Sequence, residues 1–204
     1  MKYFYIITVL AFFLVLSGCQ WTQNEHTSSG DSKLDFKVPE FSFTAHTGES
    51  FGSKDVEGKV WIAGFIFTSC PGICPKMTES LLKVQNALSE GSEVKIVTFS
   101  VDPETDTVEV LKKFAEDKGI DSRYWVFLTG EKKKIYDLSL NGFKLGVSDS
   151  AADQPLGILH SDRLVLVGRD GYVVKYYHGT LIDDVDALIS DALALEQGTE
   201  TRAN

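Results

Sequence analysis

Two cysteines in Thr68-Ser69-Cys70-Pro71-Gly72-Ile73-Cys74-Pro75 are the residues of this 204-residue chain best equipped for chemistry. A close pair of thiols can exchange electrons through a disulfide, or hold a soft metal ion as thiolates. The only other cysteine, Cys19, closes Leu16-Ser17-Gly18-Cys19, directly after the uncharged stretch from Tyr3 to Leu16. As a helix that stretch would reach about 21 Å, short of the ~30 Å hydrocarbon core of a bilayer. With Lys2 ahead of it and small residues behind, it reads as the apolar part of an export signal. Export leads to an oxidising compartment, where Cys70 and Cys74 can persist as a disulfide unless something reduces them.

The run ending at Cys19 resembles the lipobox of bacterial lipoproteins. That resemblance implies cleavage after residue 18, acylation of the Cys19 sulfur and a membrane anchor. Two or more acyl chains hold a protein stably where one does not. The expected organisation is a signal peptide at 1–18, a lipidated cysteine and flexible tether at 19–35, a folded domain at 36–195 and a polar tail at 196–204. The tether, which includes Trp21 and His26, is polar and without periodicity, with a reach of roughly 20 Å. The formal charge of −9 would become −10 after loss of Lys2. Without a basic cluster, such a chain is unsuited to nucleic acid or to electrostatic docking on anionic headgroups.

The elements that must position the thiols follow from hydrophobic pattern. Phe41–Thr44, a turn through His46-Thr47-Gly48-Glu49, and Ser50-Phe51 predict a hairpin. Val60 to Phe67 is apolar throughout, as a central strand covered on both faces should be, and it runs straight into the cysteines. Past Pro75, the spacing of Met77, Leu81, Val84 and Leu88 predicts a helix with these side chains in the core. A strand from Val94 to Val101 leads to Asp102-Pro103, then to a helix opened by Asp106 and stopped at Gly119. Tyr124–Leu128 reads as a strand and Glu131–Leu140 as a helix. Leu164–Val167 and Tyr172–Tyr177 flank Gly168-Arg169-Asp170-Gly171 and predict a hairpin, and Val185, Leu188, Ile189 and Ala192 mark the last helix. Trp61 and Trp125 fall within apolar strands and belong to the core. This order predicts an α/β fold, a mixed sheet with helices on both faces and an N-terminal β-hairpin. With a cysteine motif between the first central strand and its helix, it resembles the thioredoxin superfamily.

Sulfurs at a strand-to-helix junction lie near the positive end of a helix, which favours thiolate. The spacing is C-x-x-x-C, and helical positions i and i+4 point the same way, so both sulfurs could meet one ion or each other. Two sulfurs alone do not close a structural zinc site, which takes four ligands. They suit Cu(I) better. A third donor must come from elsewhere. His26 falls in the tether, His46 in a turn and His178 at the end of the final strand. His160, in Gly157-Ile158-Leu159-His160-Ser161-Asp162, occupies a loop that packs against the cysteine motif in thioredoxin-like folds. A loop histidine alone reads as a solvated residue; beside a dithiol short of one donor it becomes a candidate ligand. Met77 reads as core rather than ligand.

Phe67-Thr68-Ser69-Cys70-Pro71-Gly72-Ile73-Cys74-Pro75, then Val101-Asp102-Pro103-Glu104-Thr105-Asp106-Thr107, then His160 some 86 residues after Cys74, together resemble the SCO/SenC family. Its members are membrane-tethered proteins that assemble the dinuclear copper centre of cytochrome c oxidase subunit II. The resemblance implies one copper ion per monomer, as Cu(I) or Cu(II), held by Cys70, Cys74 and His160, with Asp102 as a possible neighbour of the site. It also implies subunit II as partner and a thiol reductant protein as a further partner; the anchor here is the lipobox, on the extracytoplasmic face, in place of the transmembrane helix many members carry. The other reading is a thiol–disulfide oxidoreductase, Cys70 and Cys74 forming a redox-active disulfide that reduces the cysteines of the oxidase copper site. A thiol peroxidase would need a Pro/Thr/Arg pocket, of which only Thr68 is evident.

Overall fold

An uninterrupted apolar strand must sit between two neighbours and under two layers, and β3 (Trp61–Ile66) does, with all six residues buried. In the computed structural model, which describes residues 34–145 and 161–198, β3 pairs in parallel with β4 (Lys95–Ser100) and antiparallel with β6 (Arg163–Val167). Beyond β4 lies the parallel β5 (Trp125–Thr129), then the antiparallel hairpin of β1 (Ser42–Ala45) and β2 (Ser50–Gly52). Beyond β6 lies the antiparallel β7 (Val173–His178). The order is β2-β1-β5-β4-β3-β6-β7 in one mixed sheet. Four helices complete the fold: α1 (Cys74–Ala87), α2 (Val108–Lys118), α3 (Lys132–Asp137) and α4 (Ile182–Glu196). This is the expected thioredoxin-like α/β architecture, and all described residues fall in one compact unit, Lys33–Asn204.

Side chains alternate across a strand, so register fixes each face. One face carries Gly64, Thr98 and Phe127, which stand side by side. There Trp125 donates its indole N–H to Thr98 Oγ1 at 2.7 Å, and Phe114 of α2 meets Phe127 edge-on. A Cβ on Gly64 would come within 3.2 Å of Leu164 Cδ2 and 3.8 Å of Leu81 Cδ1, which places α1 on this same face. The opposite face carries Trp61, Phe65 and Phe99. Against them pack Phe41 and Phe43 from the hairpin and Phe143, which follows α3. Helices therefore flank both faces, as the order of elements predicts.

Four local readings change. Asp106 does not cap α2: Thr107 does, its side chain accepting from Val110 N, while Asp106 is fully buried. Two adjacent residues able to cap cannot both do so, and Thr107 takes the role. Gly119 ends that helix at φ 67° as expected. The segment read as a helix over Glu131–Leu140 is α-helical only to Asp137 and then widens into a π-type turn, Leu138–Gly142. That widening delivers Phe143 to the aromatic layer. His46 is not a solvated turn residue; it is buried, accepting from Phe127 N at Nδ1 (3.1 Å) and pairing with Ser122 Oγ at Nε2 (3.1 Å). Burial holds its pKa below the ordinary value. Finally, Glu196 is the last residue of α4, and its carboxylate accepts from Ser92 Oγ and Glu93 N ahead of β4.

Phe99 is buried and meets four other phenylalanine rings. Phe99→Ala is expected to cost about 3–5 kcal/mol of stability by urea unfolding; a loss below about 1 kcal/mol would show that the aromatic layer does not hold the hairpin to the sheet.

Candidate metal and redox site

The cysteines lie at the carboxyl end of β3, the end of parallel strands where ligands bind in open α/β sheets. The β3–β4 ladder continues one residue past β4, through Val101 N to Ile66 O at 3.0 Å. The chain then turns, with Cys70 N donating to Phe67 O at 3.4 Å, and passes through Pro71-Gly72-Ile73 into α1. Cys74 is the first residue of that helix, behind the cap residue Ile73, and Pro75 is the second. Proline fits there because the missing N–H would have had no helical partner. Cys70 thus precedes the helix, and the two sulfurs meet across a turn rather than along one helical face. Cys70 and Cys74 are neighbours as expected, but not as i and i+4 of one helix, because α1 begins only at Cys74.

Both thiols are reduced and buried, 7% and 5% exposed. Cys70 Sγ accepts from Gly72 N at 3.4 Å. Cys74 is in hydrogen-bond contact with Cys70, and its pKa is pushed up to about 12. Burial is the largest cause; a main-chain hydrogen bond at Phe67 opposes it, and the charges of Cys70 and Asp106 add to it. The expected thiolate at a helix N-terminus does not hold for Cys74, because desolvation outweighs the helix dipole.

The residue the sequence reading missed is Asp106. Its carboxylate, 0% exposed, accepts from Thr68 N (3.1 Å to Oδ2), from Thr68 Oγ1 and from Ser100 Oγ (2.6 Å). It ties the first residues of the cysteine loop to the end of β4. Asp102, the acidic neighbour the motif suggested, is half-buried and forms the turn that presents Asp106. Its N–H donates to Ser100 Oγ, and its carbonyl accepts from Thr105 N and Asp106 N at 3.1 and 2.8 Å. The signal for Asp106 in the sequence was its adjacency to Thr107: one of two potential caps is free for another task. Met77 is wholly buried, in the core as expected.

Cys19 and His160 lie outside the described residues. Among the described residues no three histidine, cysteine, aspartate or glutamate side chains converge as a metal site. The other described histidine near this end of the sheet, His178, pairs through Nδ1 with Asp162 Oδ2 at 2.9 Å. Burial works to raise the Asp162 pKa, but hydrogen bonds from His178 and Thr180 hold it below the ordinary value. The donor set present, two buried sulfurs in contact, fits a soft ion such as Cu(I) and leaves further coordination to another donor.

The SCO1/SenC family model matches residues 30–193. The chain belongs to the SCO1/SenC family. A SCO1 protein homolog of Bacillus subtilis (strain 168) is 35% identical over 187 residues, covering 91% of this chain and 93% of its own length. A SCO1/SenC family lipoprotein from Bacillus anthracis str. Ames is similar in structure, with a TM-score of 0.70 and 33% identity, covering 82% of this chain and 99% of that one. So is BsSco, a member of the Sco family of cytochrome c oxidase assembly proteins with an identified disulfide switch (TM-score 0.70, 37% identity, 82% and 97%). Arabidopsis thaliana ScoI with copper bound matches at a TM-score of 0.64 and 26% identity, over 80% and 99%.

The raised Cys74 pKa predicts that one thiol of the reduced, metal-free protein titrates well above the ordinary value of 9.0, toward about 12, by ultraviolet thiolate absorbance. The folded state then holds the proton more tightly than the unfolded chain. Stability is therefore intact below pH 9 and falls as pH rises from about 9 toward 12. Two thiolates already present at pH 7 would contradict the burial argument.

Proposed function

We propose that this protein is a membrane-tethered copper-binding assembly factor for the dinuclear copper centre of cytochrome c oxidase subunit II. The observation that carries the reading is the contact between two buried, reduced thiols at the carboxyl end of β3, in a chain of the SCO1/SenC family. Copper is the cargo, one ion per monomer, held by Cys70, Cys74 and His160. Two sulfurs suit Cu(I), and an imidazole makes Cu(II) acceptable to the same set. Support comes from the copper-bound ScoI relative and from the description of BsSco as a cytochrome c oxidase assembly protein. Loading must displace the proton of Cys74, so affinity rises with pH and binding releases protons. Asp102 acts by shaping the turn behind the site rather than as a ligand.

The tether belongs to the same proposal: Cys19 is acylated, and residues 19–35 hold the domain at 36–195 on the extracytoplasmic face of the cell membrane. The lipoprotein relative from Bacillus anthracis favours this anchor. No helix among the described residues is long and apolar enough to cross a membrane.

A second reading has an observation of its own, the disulfide switch of BsSco. In it Cys70 and Cys74 reduce a disulfide of the oxidase copper site: the partner disulfide gains two electrons and two protons, and Cys70–Cys74 becomes the disulfide. A separate thiol reductant protein then restores the pair. Pure exchange has no use for His160, so His160→Ala separates the two. The variant should still form the Cys70–Cys74 disulfide while Cu(II) affinity, followed by competition titration, falls by orders of magnitude. Cu(II) binding as tight as the parent's removes His160 from the ligand set and favours the exchange reading. Cys70→Ala or Cys74→Ala should abolish both activities and impair oxidase assembly in copper-limited cells; intact oxidase activity there defeats both readings.

A further inference from the structure

Asp106 has a place in the fold that neither the motif nor the ligand set explains. A carboxylate buried to 0% exposure is costly unless donors surround it. Here three groups donate to it: the Thr68 amide, the Thr68 hydroxyl and the Ser100 hydroxyl. Thr68 and Ser100 stand where β3 and β4 run out, so the carboxylate bridges the two strands at the point where their ladder ends. Thr68 lies two residues before Cys70 in the chain. Asp106's charge is also the smallest of the causes that raise the Cys74 pKa, and its hydrogen bonds go to Thr68 and Ser100 rather than to either sulfur. A neutral side chain could brace Thr68; a buried charge does something more. It sets a negative potential in a low-dielectric place at the start of the cysteine loop, where charge is poorly screened.

We propose that Asp106 is a positioning and specificity residue of the dithiol site: it fixes the start of the cysteine loop to β4, and its charge makes the site favour cationic over anionic partners. The consequence for thiols does not depend on copper. A small thiol reducing the Cys70–Cys74 disulfide attacks as RS⁻, forms R–S–S–Cys with one cysteine and releases the other as a thiolate that takes a proton. A second RS⁻ then attacks the R sulfur, giving RSSR and the free dithiol. Anionic glutathione approaches against the Asp106 charge, whereas cysteamine, which carries an ammonium group, does not. For copper, resting on the function proposed above, the same charge favours Cu(II) over Cu(I), because the reduced ion with two thiolates carries one more negative charge.

The test compares Asp106→Asn, which keeps shape and removes charge, with Thr68→Val, which removes one hydroxyl donor and keeps the charge. The oxidised, metal-free protein is reduced by glutathione and, separately, by cysteamine, each rate corrected for that thiol's own thiolate fraction. Asp106→Asn should lower the cysteamine-to-glutathione rate ratio by clearly more than about twofold, since a unit charge at an effective dielectric near 20 acts over many ångströms. It should lower the ratio of Cu(II) to Cu(I) affinities in the same direction. Thr68→Val should slow or loosen the site while leaving both ratios within about twofold of the parent. If Asp106→Asn does not fold, Asp106→Ser is the neutral replacement. An unchanged rate ratio in a folded neutral variant, or an equal shift in Thr68→Val, overturns the charge role. A parent that shows the thiol preference and binds no copper ends the copper reading and leaves this one standing. A parent whose disulfide does not form overturns the thiol preference proposed for Asp106 and leaves the copper reading standing.

Discussion

The parallel pairing of β3 with β4 is the constraint on which everything at the site depends. It extends one residue past β4, through Val101 N to Ile66 O, and is then handed to a side chain when Asp106 takes Thr68 and Ser100. Beyond that stitch the chain must turn within six residues to start α1, and the turn brings Cys70 back on Cys74. The neighbouring layers make this possible. Leu81 and Leu164 fill the space over Gly64 on one face, and the aromatic layer of Phe41, Phe65, Phe99 and Phe143 seals the other. With both faces closed, the open end of the strands is where a polar or reactive group can meet solvent.

Burial decides the chemical state in which the sulfurs wait. A helix N-terminus stabilises a thiolate by its partial positive charge, yet Cys74 is driven the other way because removing the charged form from water costs more. Cys74 is therefore a poor indiscriminate nucleophile at neutral pH. It reacts where a partner compensates the lost proton, either a soft cation that bonds both sulfurs or a disulfide that accepts the electron pair. Both proposed activities share this selectivity, which is why one dithiol can serve either.

Much of the fold was legible in the residues. The strand from Val60 to Phe67 was written in continuous apolar character, α1 in the spacing of Met77, Leu81 and Val84, and the end of α2 in Gly119. The family was legible because three separated motifs agree in order. What the sequence hid was burial of polar groups. His46 looks like a turn residue because Thr47-Gly48 follows it, but its ring bridges to Phe127 and Ser122, 81 and 76 residues away. Asp106 looks like a cap because capping is local, whereas its partners at Thr68 lie 38 residues away. Long-range hydrogen bonds leave no period in a sequence, and a helical spacing rule misplaced Cys70 because the helix begins only at Cys74.

The proposed function rests on one copper ion bound by the sulfurs of a single chain, with an imidazole beside them. X-ray absorption at the copper edge, on the soluble domain loaded with one equivalent, addresses it most directly. The account predicts two sulfur scatterers and at least one imidazole nitrogen per copper, in a monomer. Copper without sulfur in its shell, or with more than two sulfurs shared between chains, would contradict it.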